Sequence, residues 1–99
     1  MKIESTPVTG KEDKARLSAP LRAVSDFYTA FNNADLELMS KNWAQTDEAI
    51  MDNPVGGIKR GWPDIRSVYD QIFRSPATVQ VEFYDYTLHE ADGMFYVVG

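Results

Sequence analysis

Apolar positions recur along this chain with two different periods. After a polar opening, Leu21, Val24, Phe27, Tyr28 and Phe31 step by three and four residues, the spacing of one helix face. Ser18 is placed to cap that helix, Pro20 suits its first turn, and Asn32 and Asn33 end it. Asp35 reads as the N-cap of a shorter second helix with Leu36, Met39 and Trp43 on its apolar stripe. Ile65, Val68, Tyr69, Ile72 and Phe73 form the stripe of a third helix. That helix opens on Gly61, with Pro63 at its first position and Asp64 favouring the positive end of its dipole, and Ser75-Pro76 closes it.

Between the second and third helices, E-A-I-M-D-N reads as a short strand. Pro54 stops it because proline cannot donate to a ladder, V-G-G turns the chain, and I-K-R returns. After the third helix the period drops to two. Residues 78–89, T-V-Q-V-E-F-Y-D-Y-T-L-H, predict one long strand. Its phase changes, because Val79, Val81 and Phe83 share one face whereas Tyr84, Tyr86 and Leu88 share the other. A bulge or sharp bend near Phe83-Tyr84 is the expected cause. Asp92-Gly93 predicts a hairpin turn, and M-F-Y-V-V-G the returning strand. Residues 1–17, with Pro7, Gly10 and the run K-E-D-K, predict a flexible N-terminal tail, and residues 18–99 a single domain.

Composition narrows the function. The 99 residues carry 10 basic and 15 acidic side chains, a net charge of −5. That balance opposes nucleic acid and anionic membrane surfaces as partners. There is no cysteine, so disulfides, thiolate metal sites and a cysteine nucleophile are excluded. A single histidine, His89, supports no histidine-rich metal site; neither a metal nor a cofactor is expected. No apolar run is long enough to span a bilayer, and the opening residues lack the apolar centre of a signal peptide, so the expected location is cytoplasmic. Trp43, Trp62, five tyrosines and five phenylalanines could fill a core or line a cavity for an apolar ligand.

The element order, with D-x-x-x-x-x-x-x-W from Asp35 to Trp43 and N-P-V-G-G followed by G-W, resembles the nuclear transport factor 2-like superfamily. That group includes ketosteroid isomerase, scytalone dehydratase, SnoaL-like cyclases and the association domain of calmodulin-dependent kinase. The resemblance covers residues 18–99 and is carried by Phe27-Tyr28, Asp35, Trp43, Pro54, Gly56, Gly57, Gly61 and Ile65. It implies an α+β, cystatin-like cone, in which a curved antiparallel sheet packs on three helices around an apolar pocket. It also implies a homodimer formed through the sheet. Measured against that pattern, the last two strands are missing beyond Gly99. Because the fold hosts enzymes, binders and association domains alike, the resemblance implies no single activity.

In ketosteroid isomerase the proton-shuttling aspartate directly precedes the proline of this turn. Here Asn53 holds that position and Asp52 lies one step earlier, on the opposite face of a regular strand. A bulge at Asn53 would turn Asp52 inward. The isomerase's oxyanion tyrosine corresponds to Phe27, with Tyr28 one step away. These displacements argue against steroid isomerisation itself. A dehydratase, cyclase or other lyase or isomerase would need only some acid or base in the pocket, and the catalytic candidates are Asp52, Asn53, Tyr28 and Tyr69. Tyr86 and His89 are further polar candidates, His89 reading first as a surface or strand-end residue before the turn. Asp52 also reads as a solvated turn acid, and Tyr28 and Tyr69 as core residues. Expected pocket-lining residues are Phe27, Phe31, Trp43, Met51, Trp62, Ile65, Phe73, Phe83, Tyr86 and Phe95. A small apolar molecule is the expected ligand, and a non-catalytic dimerisation, association or ligand-binding domain is the alternative.

Overall fold

The computed structural model describes residues 2–53, 56–76 and 79–99. Pro54 and Val55 of the expected turn and Thr78 of the expected strand lie outside the described residues. The chain is α+β, with three α-helices and two antiparallel hairpins among the described residues. Helix α1 spans Ala19–Asn32, α2 Leu36–Asn42 and α3 Trp62–Arg74. The strands are β1 (Ile50–Asn53), β2 (Gly57–Arg60), β3 (Thr87–Ala91) and β4 (Met94–Val98).

The helix starts follow from local chemistry. Ser18 Oγ accepts the backbone N–H of Leu21, and the Asp35 carboxylate accepts that of Leu38 at 3.0 Å. Each satisfies a donor that the first turn leaves without a partner. No side chain caps α3. Its cap residue is Gly61 at φ +82° and ψ +143°, a combination that only glycine adopts without strain. The Gly61 N–H donates to the Ala49 carbonyl at 2.8 Å and ties the start of α3 to the approach to β1.

The core forms where α1, α2, α3 and β1 meet. Ala30, Met39, Ala49, Trp62, Ile65 and Tyr69 are buried there, with Phe27, Phe31, Leu36, Trp43, Met51 and Phe73 packed around them. Trp43 and Trp62 stack with ring centres 6.4 Å apart, and Tyr69 meets Trp43 at 6.0 Å. Hairpin β1–β2 packs against α3, while β4 faces α1.

Three expectations are refined or changed. The antiparallel strands of the expected α+β cone are seen as two hairpins: β1 pairs with β2 and β3 with β4, and no ladder joins them among the described residues. The expected strand over 78–89 is regular only from Thr87 onward. Asp85 breaks it with a left-handed φ of +49°, a turn point immediately after the predicted bend at Phe83-Tyr84. The residues flanking that point pair elsewhere, in isolated antiparallel bridges of Phe83 with Val8 and of Tyr86 with Glu4. The third change concerns the partner in those bridges. Residues 2–17, read as a flexible tail, are docked in this structure: Val8 is 6% exposed, and polar contacts fix the segment to α1. Those contacts rest on scattered polar side chains, which leave no hydrophobic period in the sequence.

Candidate functional site

Helix α1 presents two apolar edges. Phe27 and Phe31 meet Tyr69 of α3 in edge-to-face contacts at 6.3 and 6.5 Å, and this edge is core. Ala23, Val24, Phe27 and Tyr28 form the other edge, one wall of a cavity of about 300 Å³. The opposite wall is Phe95 and Val97, which alternate along β4 and so share its inward face. Phe83 closes one side, stacked on Tyr28 at 6.0 Å, with Tyr86 stacked behind it at 5.4 Å. The last residue of α2, Asn42, completes the lining; its Nδ2 donates to the Ala23 carbonyl at 3.0 Å, which leaves Oδ1 as its acceptor for a guest.

The cavity is apolar and uncharged. Among the described residues its polar side-chain groups are the Tyr28 hydroxyl and the Asn42 amide, and no carboxylate, ammonium or imidazole lines it. Burial raises the Tyr28 phenol above its usual 10.0, so it donates a hydrogen bond at neutral pH rather than acting as a base. The volume lies at the lower end of small-molecule sites, which are concave, mostly apolar and carry a few orienting polar groups.

The four catalytic candidates are not brought together. Tyr28 lines the cavity. Tyr69 is 2% exposed in the core, where burial pushes its phenol up to about 12. The Trp43 indole offsets that rise only in part, and the contact is loose, since the buried Trp43 Nε1 completes no hydrogen bond of ordinary geometry. Asp52 faces solvent. The ladder runs in regular register from Ile50↔Arg60 to Asn53↔Gly57, so the bulge that would have turned Asp52 inward is absent from the pairing. Asn53 shares the inward face with Met51 but lines a separate polar cleft with Lys59, Asp64, Ser67 and Gln71.

Among the expected lining residues, Phe27, Phe83 and Phe95 do line the cavity. Phe31 and Phe73 line a smaller space of about 140 Å³ beside Ile72 and Val79. Trp43, Met51, Trp62 and Ile65 belong to the core instead, because their stripes on α2, β1 and α3 converge there. Tyr86 supports Phe83 from behind. His89 lies on the outer face of the β3–β4 hairpin, stacked on Tyr96 at 4.4 Å, with Nε2 2.8 Å from Thr87 Oγ1. Ala23, Val24, Asn42 and Val97 were missed, although Val24 was read as part of the apolar stripe of α1. Val97 follows Phe95 by one strand period and was findable; Asn42 sits at a polar helix end, where nothing in sequence points inward. Among the described residues, no group of three or more acidic or histidine side chains is placed to hold a metal ion. Among them, too, no helix is long and apolar enough to cross a membrane.

Residues 21–99 match the family model of the SnoaL-like domain. The chain belongs to this family. With it comes membership of the nuclear transport factor 2-like superfamily, whose α+β plan the helices and hairpins follow. The match begins inside α1 and takes in every residue of the cavity lining, but not the docked segment before it. No curated protein and no solved structure matches the chain. The SnoaL-like assignment therefore gives the domain its fold and family, and the cavity must speak for its chemistry.

Proposed function

We propose that this SnoaL-like domain binds a small, neutral, largely apolar molecule between α1 and the β3–β4 hairpin. One observation carries the reading: the cavity walls are aromatic and aliphatic, with a single hydroxyl and a single amide as polar groups. A charged guest would lose part of its hydration there with no opposite charge in the lining to replace it, a net cost. A guest with one oxygen suits the site, since Phe27, Phe83 and Phe95 offer apolar ring surface and the Tyr28 hydroxyl a donor. If the domain also turns a substrate over as a lyase or isomerase, Tyr28 is the candidate positioned to polarise a substrate oxygen. The proton acceptor would then have to come with the substrate or its water, as the lining supplies none.

The test is titration with Nile red, a neutral apolar dye that brightens on leaving water. The wild-type chain is expected to bind it, Val24→Trp to block it by filling the cavity, and Asp52→Asn to bind as wild type does. Equal binding by wild type and Val24→Trp would remove the cavity from consideration.

An association domain is the second reading. Met94, Tyr96 and Val98 share the outer face of β4 and are 61%, 53% and 58% exposed. An apolar row of that kind on an edge strand marks a contact surface, and a second copy of this chain is the proposed occupant. Light scattering is expected to give a dimer that Tyr96→Glu converts to monomer; a wild-type monomer at every concentration removes this reading.

A further inference from the structure

Residues 2–14 contribute nothing to the cavity lining, yet they grip both of its stacked aromatic walls from behind. Val8 and Phe83 exchange both backbone hydrogen bonds, at 2.7 and 3.0 Å, and Glu4 and Tyr86 do the same at 2.8 and 2.9 Å. The first pair fixes the backbone that carries the Phe83 ring. The second fixes Tyr86, whose ring backs Phe83. Gly10 presses on α1 at the residue that carries the other ring: a Cβ built there would lie 2.7 Å from the Tyr28 carbonyl carbon and 2.4 Å from the Thr29 nitrogen. At φ +89°, Gly10 holds a conformation and a proximity that no other residue can combine.

A polar clasp holds this segment down. The Glu12 carboxylate accepts the Thr9 and Gly10 backbone N–H groups, each at 2.9 Å, the Thr9 hydroxyl at 3.0 Å and the Ser25 hydroxyl of α1 at 2.6 Å. Lys14 donates to Ser25 and Thr29 and pairs with Asp26 at 3.3 Å. Thr29 donates to the Gly10 carbonyl at 2.6 Å, and Asn32 donates to the Thr9 carbonyl at 3.0 Å. Ser25 is 0% exposed beneath the clasp, every bond of its hydroxyl made to the segment.

From this placement we propose that residues 2–14 form a strap whose docking is thermodynamically coupled to occupancy of the cavity. The inference rests on the cavity being a ligand site. A guest touching both Tyr28 and Phe83 binds best when the strap holds the two rings in their stacked geometry. Linkage then requires the guest to favour strap docking by the same factor. Glu12 and Gly10 are positioning residues, acting through Phe83 and Tyr28.

The experiment uses the full chain, Nile red as the guest, and amide hydrogen exchange read residue by residue. Gly10→Val, which cannot sit against Thr29, is expected to weaken dye affinity about tenfold, within the range usual for coupled sites. In the wild type, saturating dye is expected to slow exchange of the Val8 and Phe83 amides by that same factor while leaving the β1–β2 amides unchanged. A strap with a merely structural role would not respond to the dye. Glu12→Gln is the milder second variant should Gly10→Val fail to fold, and unaltered exchange in β1–β2 certifies the fold of either. Dye binding that Val24→Trp abolishes but neither strap variant weakens overturns the coupling and leaves the cavity reading standing. So does unchanged exchange at Val8 and Phe83 on dye binding. Absence of dye binding, or equal binding by Val24→Trp, overturns the cavity reading and the coupling with it.

Discussion

Asn32 looks in sequence like a helix terminator, and the structure gives it a larger task. Its Nδ2 donates to the Thr9 carbonyl at 3.0 Å and to the Val81 carbonyl at 2.8 Å, while its Oδ1 accepts the Val81 N–H at 2.8 Å. The amide thus stands in for a neighbouring strand, pinning residue 81 on one side and the strap on the other. Replacing it by alanine removes three bonds worth about 1 kcal/mol each, with partial rescue by water, so the loss is about 2–3 kcal/mol. For a domain of this length that lowers the melting temperature by about 10–20 °C. Asn32→Asp discriminates further. It keeps the acceptor for Val81 N–H but sets a carboxylate against two carbonyl oxygens. At pH 7 it is expected to cost at least as much as alanine. Those carbonyls raise the folded-state pKa of the new carboxyl, so the lost stability returns as pH falls and the protonated acid regains a donor. Chemical denaturation followed by far-UV circular dichroism at pH 7 and pH 4 measures both effects. The exposed neighbour serves as control, with Asn33→Ala expected within about 0.5 kcal/mol of wild type. An Asn32→Asp protein as stable as wild type at pH 7 would refute the bridging role.

Two further predictions concern titration. Partial burial pushes the Glu12 carboxyl up, but the hydrogen bonds from Ser25, the Thr9 and Gly10 backbones and the Thr9 hydroxyl outweigh it and hold the group down at about 2, against an ordinary 4.5. A depressed folded-state value contributes stability above the unfolded pKa and loses it as pH falls through the folded one, so strap protection is expected to decay between about pH 4.5 and 2. After solvent screening the contribution is about 1–2 kcal/mol, and Glu12→Gln should flatten that decay in exchange measurements at Val8. Ultraviolet titration of the phenols should show Tyr69 ionising only near pH 12, with the late step absent from Tyr69→Phe; a native protein whose phenols all titrate together near pH 10 would contradict the burial of Tyr69.

The helices were legible because each announces itself twice, α1 and α2 by period and by cap, α3 by period and by Pro63 in its first turn. Ser18 and Asp35 accept the N–H groups their positions predict, and the stripe from Ile65 to Phe73 turns Ile65 and Tyr69 into the core. Hairpin β3–β4 was legible from Asp92-Gly93 and the alternation of Phe95 with Val97. The strap was not, because Glu12, Ser25, Thr29 and Asn32 are ordinary surface residues in sequence and acquire their roles only by meeting across the fold. The break at Asp85 was legible as a phase change near Phe83-Tyr84 but not in its exact place, because an aspartate in the left-handed region costs little. The site was partly legible. Aromatic stripes identified Phe27, Tyr28, Phe83 and Phe95 as inward-facing, but a stripe cannot say whether it faces a neighbour or a void, which is how Tyr69 and Trp62 differ from Tyr28.

The stacking of Trp43 on Trp62 carries a practical consequence. Both indoles of this chain sit together in the α2–α3 core, outside the cavity and away from residues 2–14. Their emission and their coupled circular dichroism follow that core alone. A thermal scan read by intrinsic fluorescence would therefore record the melting of that core and carry no signal of the strap's own.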